Sequence, residues 1–330
     1  MTGRKSRWLA VAAMIVLALA GCGGGDNGNQ GGNQQAQQPA AGQSRNLTIA
    51  VVTHASAGDA FWDVVKKGAE AAGSDLGVKV TYQGDGDAGA QARLIDNAVS
   101  QKVNGLVVSM ANPDALKSSI QAAVSAGIPV ITINSGGDRS AEFGALTHVG
   151  QDERIAGEGA GERLKAAGAK NLVCVIHEAG NIGLEQRCEG AKSTFGGTVK
   201  NLQVNIANVA EASATIKSQL QADQSIDAVL TLNPAVAVAA RDAIRDASSK
   251  AQLGTFDLNA DVVSAIEAGE IQFAIDQQQY LQGYLPVTFL TLYADNLNTV
   301  GGGKPVLTGP GFVTKDNAKQ VADLAAKGTR

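Results

Sequence analysis

Short apolar runs rich in β-branched residues alternate with helix-length amphipathic segments, and that alternation constrains the fold more than any other feature of this chain. Leu47–Thr53, Val78–Tyr82, Gly105–Ser109 and Pro129–Asn134 read as strands. Phe61–Leu76, Ala90–Gln101 and Pro113–Ala126 read as the helices between them. In the last, Leu116, Ile120, Ala123 and Val124 recur at helical spacing. The strands are continuously apolar, so both of their faces are to be covered. That is the pattern of a parallel sheet between two helical layers, an α/β fold.

The pattern then restarts. Helix Ile155–Ala167 leads to strand Leu172–Ile176, helix Leu184–Phe195, strand Leu202–Ile206 and helix Ala212–Ala222. Strand Ala228–Leu232, helix Ala235–Ala247, strand Gln252–Phe256, helix Ala260–Ala268 and strand Gln272–Ile275 complete the run. The halves echo one another: each has an apolar strand followed by Asn-Pro and a helix, at Asn112-Pro113 and at Asn233-Pro234. Asn suits the cap there and Pro the first helical position. Two similar α/β domains in tandem is the economical reading.

The residues ahead of this region have another character. Arg4, Lys5 and Arg7 precede an apolar run, Trp8–Leu19, that is shorter than the ~20 residues a membrane span needs. Leu19-Ala20-Gly21-Cys22 resembles the lipobox of bacterial lipoproteins. The resemblance implies a signal peptide over residues 1–21 and a lipid on Cys22, holding the protein on the extracytoplasmic face of the cell membrane. Gly23 to Ser44 is almost wholly Gly, Asn, Gln, Ala and Ser, which reads as a flexible linker, so residues 22–46 are assigned as a tether. The roughly 285 residues that remain exceed most single cores and suit two domains.

The formal net charge is −4 with no basic cluster, so nucleic acid is not an expected partner. Cys174 and Cys188 are the only cysteines besides Cys22. An oxidising compartment invites a disulfide between them, and two buried free thiols is the other reading. No Cys/His metal spacing exists, and neither a metal nor a cofactor is expected. Gly84-Asp85-Gly86-Asp87-Ala88-Gly89 matches GxGxxG in form, but it follows the second strand and lacks the acidic residue expected after it, so it reads as a turn. Asp85 and Asp87 fall short of a calcium loop. His177-Glu178 is not part of HExxH, there is no GxSxG, and His54, His148 and His177 fit no catalytic motif, so no enzyme is expected.

Polar planar side chains instead gather at the C-terminal ends of strands: Asn112 beyond Ser109, Asn134, Asn233 and Asp257, with Gln277 after the last strand. Ligands of open α/β sheets sit at that edge. Amides and carboxylates suit a ligand dense in hydroxyls, while a turn or cap remains the simpler role for Asn112 and Asn233. Phe61 and Trp62 open the first helix; neighbours there point ~100° apart, so one can pack while the other faces the cleft. A flat ring suits the C–H side of a sugar. Arg187 could fork two ligand oxygens, or lie on a solvated helix face.

From Leu47 onward these segments together resemble the sugar-binding proteins of bacterial ABC importers, of the ribose- and galactose-binding type. The matching residues are Asp59-Ala-Phe61-Trp62, the run through Ser109 to Asn112-Pro-Asp-Ala, Asn134-Ser, Arg187-Cys-Glu-Gly190, Leu-Asn233-Pro, Phe256-Asp257 and Ile275-Asp-Gln277. The resemblance implies two Rossmann-like lobes with a three-strand hinge, crossing near Thr147, Gln277 and Gly309. The N-terminal lobe would take residues 47–147 and 278–308, the C-terminal lobe 148–277 and 309–330. It further implies a monomer that binds a neutral sugar or polyol between the lobes and hands it to an ABC permease. Asp59, Phe61, Trp62, Ser109, Asn134, Arg187, Asn233, Asp257 and Gln277 would form that site. Where the family often carries Asp-Arg, this chain has Asn134-Ser135, which puts a cyclitol, an acyclic polyol or a furanose among the candidates. A sensor feeding a membrane receptor and a glycan hydrolase are the alternatives.

Overall fold

The computed structural model describes residues 45–56 and 58–330. The segment assigned from sequence to a signal peptide, Cys22, and the assigned linker as far as residue 44 lie outside the described residues. Strands β1 (Thr48–Thr53), β2 (Lys79–Gly84), β3 (Gly105–Ser109), β4 (Val130–Ile133) and β5 (Thr147–Gln151) alternate with helices α1 (Ala60–Leu76), α2 (Ala88–Ser100) and α3 (Pro113–Ser125). After α4 (Glu153–Ala166) come β6 (Asn171–Ile176), α5 (Ile182–Phe195), β7 (Thr198–Gln203), α6 (Val209–Ala222), β8 (Ala228–Thr231), α7 (Pro234–Asp246), β9 (Gln252–Phe256), α8 (Ala260–Ala268) and β10 (Phe273–Asp276). The chain ends with α9 (Gln279–Asn296), β11 (Val306–Gly309), β12 (Gly311–Thr314) and α10 (Ala318–Lys327).

Two six-stranded sheets result, ordered β11-β5-β4-β3-β1-β2 and β12-β10-β9-β8-β6-β7. The same order appears twice, as the repeated sequence pattern requires. All pairings are parallel except β10 with β12. Successive strand residues feed opposite layers: Ile49 and Val51 join the apolar cluster under α1, while Ala50 and Val52 join the one under α2 and α3. Leu172, Cys174 and Ile176 likewise face one layer of the second lobe, and Val173 and Val175 the other. The chain passes between the sheets after Gln151, between Asp276 and Gln279, and at Gly309–Gly311. The first sheet therefore keeps the chain to Gln151, beyond the Thr147 expected from sequence.

Aspartate and asparagine start most helices. Asp59, Asp87, Asn112, Asp152, Asn181, Asn208, Asn233 and Asn259 each accept a first-turn N–H on the side chain. The GxGxxG look-alike is the β2–α2 turn, with Asp87 capping α2. One strand differs from expectation. Leu202, Val204 and Ile206 alternate like a strand, yet the ladder on β6 runs from Thr198 to Gln203. β7 is an edge strand whose exposure tolerates Lys200 and Asn201, and Val204 and Ile206 lean on the core beyond the ladder.

Two helix pairs set the positions of the site. A Cβ on Gly157 of α4 would strike the backbone of Arg187 in α5, and one on Gly68 of α1 would strike the Tyr280 carbonyl in α9. Glycine at these crossings lets the backbones approach. The close packing sets Glu153 against Arg187 in one lobe and brings the middle of α1 against the start of α9 in the other. Among the described residues, no helix is long and apolar enough to cross a membrane.

Candidate functional site

Strand ends of both sheets meet at a cavity of about 30 Å3 between the lobes. Eight of the nine residues singled out in the sequence line it: Asp59, Phe61, Trp62, Asn134, Arg187, Asn233, Asp257 and Gln277. Ser109 does not. It is wholly buried behind His54, whose backbone N–H donates to the Ser109 hydroxyl at 2.9 Å and whose Nδ1 lies 2.7 Å from it. Ser109 thus fixes the His54 ring, and His54 takes the place at the wall. Asn112 stays an exposed cap, while Asn233 at the equivalent position both caps α7 and faces the cavity.

The sequence reading missed His54, Ser135, His177, Glu178, Asn181, Leu184 and Leu232. His54 directly follows β1 and His177 directly follows β6, the first strand of each half. Both therefore hold the same strand-end position as Asn134 and Asp257, which is the signal that marks them in the sequence. Among the described residues, nothing hydrogen-bonds the buried Nδ1 of His177.

A hydrogen-bonded chain crosses the site. The Ser135 hydroxyl donates to Asn134 Oδ1 at 3.0 Å, and Asn134 Nδ2 donates to Gln277 Oε1 at 3.1 Å. Gln277 Nε2 donates to Asp257 Oδ1 at 2.8 Å. Asp257 Oδ2 lies 4.0 Å from Nη1 of Arg187. Arg187 donates from Nε and Nη2 to the two oxygens of Glu153, at 2.6 and 3.0 Å, and its guanidinium sits 4.5 Å over the Phe256 ring. Glu153 therefore holds the fork of Arg187, while Nη1 donates to the Leu232 carbonyl at 3.5 Å and faces Asp257. Asn134 and Asp257 have φ of 61° and 67°, a left-handed backbone that Asn and Asp tolerate better than most residues. That conformation turns each side chain off its strand toward Gln277.

Further contacts join the lobes: Ser135 Oγ lies 3.1 Å from Asn181 Oδ1, and the Ile182 N–H donates to the Ala111 carbonyl at 3.0 Å. Trp62 packs edge-on to Phe61 and to His54, with centroids 4.9 and 4.7 Å apart. Both aromatic rings reach the cavity and both also belong to the core, so the division expected between them does not hold.

Burial sets the protonation of the walls. It pushes the Asp257 carboxyl up to about 7, against the pull of Arg187 and the Gln277 amide. Burial also raises Asp59, opposed by the Phe61 N–H and the Asn233 amide. His54 is lowered by burial, partly offset by Glu178, and burial with the nearby Arg187 charge lowers His177 to about 3. Burial works against the charge of Arg187, but Glu153 outweighs it and the net shift is upward. Imidazoles, carboxyl groups and amides together give a wall that can both donate and accept, next to two aromatic rings. Among the described residues no cluster of His, Cys, Asp and Glu could hold a metal ion. Cys174 and Cys188 are bonded, tying α5, one residue past Arg187, to β6.

Known proteins share this architecture. A carbohydrate transporter from Acidothermus cellulolyticus 11B, solved in complex with myo-inositol, is 46% identical, with 86% of this chain and 99% of that one covered and a TM-score of 0.85. The ribose import binding protein of Bacillus subtilis is 26% identical over 261 residues, 76% of this chain and 83% of that protein. The xylose/arabinose-binding protein of Sulfolobus acidocaldarius is 25% identical over 240 residues, 68% of this chain but 60% of that protein. The sequence profile of the periplasmic binding protein domain matches residues 49–298, which span every site residue named above, and the chain belongs to that family.

Proposed function

We propose that this protein is an extracytoplasmic solute-binding lipoprotein. It closes its two lobes on a neutral polyhydroxylated ring, with a cyclitol such as myo-inositol as the first candidate, and delivers it to an ABC importer. The observation that carries this reading is the hinge glutamine, Gln277, hydrogen-bonded to Asn134 of one lobe and Asp257 of the other inside a polar, aromatic-edged cavity. A ligand there reports its presence directly to the hinge. The space of about 30 Å3 accommodates roughly two waters at ~10–15 Å3 each, so ligand entry requires the lobes to part by hinge motion. The relative complexed with myo-inositol supports the choice of cyclitol, and the binding proteins for ribose and for xylose and arabinose support the broader class.

In this reading Asp59, Asn134, Asn233 and Asp257 bond ligand hydroxyls, Phe61 and Trp62 cover the ring, Arg187 presents Nη1, and Gln277 links the ligand to the hinge. The lobe division falls at the crossovers, the monomer is the working unit, and the site binds without turning its ligand over. Cys22 carries the lipid anchor, and the linker gives the binder reach above the membrane, keeping its effective concentration high near a permease. Isothermal titration against myo-inositol, D-ribose, D-xylose and D-galactose is the test. Heat release and a raised Tm with at least one of them is expected; none with any would refute the assignment. Labelling of cells with a radioactive fatty acid tests the anchor, and loss of label in Cys22→Ala is the expected result.

A further inference from the structure

Just outside the polar cavity the lobes stand apart. They leave a second space of about 290 Å3. The two spaces share Asp59, Phe61 and Asn233, so these three side chains are the partition between them. Asp59 comes from one lobe and Asn233 from the other, and the Asn233 amide is close enough to hold down the Asp59 carboxyl. The outer space has Val64 and Lys67 of α1 on one side, and Ile206 and Leu258, from the loops after β7 and β9, on the other. The end of α10 closes it, at Ala325 and Gly328. That end is fixed in place: Lys67 Nζ donates to the Lys327 carbonyl at 3.1 Å, and Arg330 Nε pairs with the buried Asp276 at 2.6 Å.

We propose that the outer space is a subsite for the second ring of a two-ring ligand. The first ring occupies the inner cavity, and a glycosidic oxygen passes between Asp59 and Asn233 to a sugar ring outside. The inference rests on reading the inner cavity as a polyol site. Three observations carry it. The first is size: about 290 Å3 sits at the lower edge of the ~300–1,000 Å3 range of small-molecule pockets, room for one ring and not for a long chain. The second is chemistry. Val64, Ile206 and Leu258 make an apolar surface fringed by Asp63, Lys67 and Asn259, which matches the C–H face and hydroxyl edge of a sugar; an alkyl substituent would leave that polar fringe unanswered. The third is that both lobes line the space: Val64 and Lys67 come from one and Ile206 and Leu258 from the other, so a ring held there touches both.

The test is isothermal titration of the purified full chain with myo-inositol and with a panel of mono-O-galactosyl-myo-inositols, one for each ring position. It is repeated on Ala207→Trp. Ala207 is exposed in the loop between β7 and α6 and borders only the outer space, so an indole there fills that space and leaves the inner wall untouched. At least one galactosylated isomer is expected to bind within about tenfold of myo-inositol or more tightly, and Ala207→Trp to weaken it by about tenfold or more with myo-inositol unchanged. Retained myo-inositol binding also reports that the variant is folded. If myo-inositol binds and no galactosylated isomer does, the subsite is overturned and the inner site stands. If Ala207→Trp weakens both ligands alike, or neither, the subsite is overturned as well. If nothing binds, the inner-site reading falls and the subsite falls with it.

Discussion

Asn134 and Asp257 stand at the same place in the two lobes, each just past the fourth strand of its sheet, and one side chain joins them: Gln277 accepts from Asn134 at 3.1 Å and donates to Asp257 at 2.8 Å. Gln277 lies in the stretch that carries the chain from β10 back to α9. Gln277 is thus bonded to both lobes at once. Its own carbonyl accepts from the Thr308 hydroxyl at 2.7 Å, which ties it to the third crossover too.

Gln277→Ala removes both bonds and leaves Asn134 Nδ2 and Asp257 Oδ1 only their longer contacts, at 3.4 Å, with Gln282 and Gln279. A hydrogen bond contributes ~0.5–1.5 kcal/mol net, so losing both should lower ligand affinity by about fivefold to a hundredfold. Titration calorimetry against the ligand found in the screen checks this. Unchanged affinity would show that Gln277 serves the fold alone.

Asp257 should give the fold a measurable pH signature. Its carboxyl is pushed up to about 7 by burial, whereas an unfolded aspartate titrates near ~3.9. Between these values the native chain holds a proton that the unfolded chain releases. Stability from this group is therefore full below ~4 and is lost as pH rises through about 7, by at most ~1.4 kcal/mol per pH unit. Asp59 is raised too and acts in the same sense. His148, lowered to about 4 by burial, and His177, lowered to about 3, act in the opposite sense, costing stability as pH falls below ~6.5. The difference between wild type and Asp257→Asn isolates Asp257, because asparagine keeps an oxygen for Gln277. Urea unfolding from about pH 4.5 to 8 should show the variant gaining on wild type as pH rises and levelling off above about 7. Parallel curves would contradict the shift.

Much of this was legible in the sequence because each level pointed the same way. Continuous apolar strands, Asx-Pro helix starts and polar strand ends give the doubled α/β sheet and most of the cavity wall. Helix α9 was not legible. It carries Pro286 in its interior and apolar residues around its whole circumference, so no periodic face stands out, yet it packs along α1. The edge strand β7 was misplaced because its exposed ladder residues look less like a strand than the Leu202–Ile206 run beside them. Ser109 stands behind His54 and not at the wall, because strand-end position does not say whether a side chain reaches the cavity or props up its neighbour. Glu153 could not be foreseen as the partner of Arg187, since only the close crossing of α4 and α5 brings them together.

The disulfide offers a separate measurement. Cys174 and Cys188 are both buried and close a loop of sequence separation 14. In the chain-entropy estimate such a loop contributes ~3 kcal/mol. Cys174→Ala combined with Cys188→Ala should lower the urea midpoint accordingly, and unreduced peptide mapping should recover the linked pair. A midpoint equal to wild type would show that the bridge contributes nothing to stability.

Ser109 and Asp59 should separate in their effects on binding. Asp59 lines the cavity, whereas Ser109 reaches it only through the His54 ring. Asp59→Ala is expected to weaken the ligand by roughly tenfold or more, on the scale of a lost charged hydrogen bond. Ser109→Ala should have a smaller effect on affinity and a clear one on Tm, since it leaves the buried His54 N–H unpaired. Equal losses of affinity would mean that Ser109 meets the ligand directly.

Gly157 decides where Arg187 can be. Any Cβ at that position would collide with Arg187 backbone, and both helices are otherwise packed through Gly161 and Gly190 at the same crossing. Gly157→Ala removes a helix-interior glycine, which by itself favours the helix by ~0.5–1 kcal/mol. The collision works against that gain, because overpacking costs ~1–3 kcal/mol when backbones must move apart. The net effect should be destabilising, and the displaced α5 should carry Arg187 away from Glu153 and from the 4.0 Å approach to Asp257. Binding should therefore weaken although residue 157 lies outside the cavity wall. Thermal unfolding and ligand titration on the same variant check both halves. A variant more stable than wild type with full affinity would show that the helices can yield without moving the guanidinium.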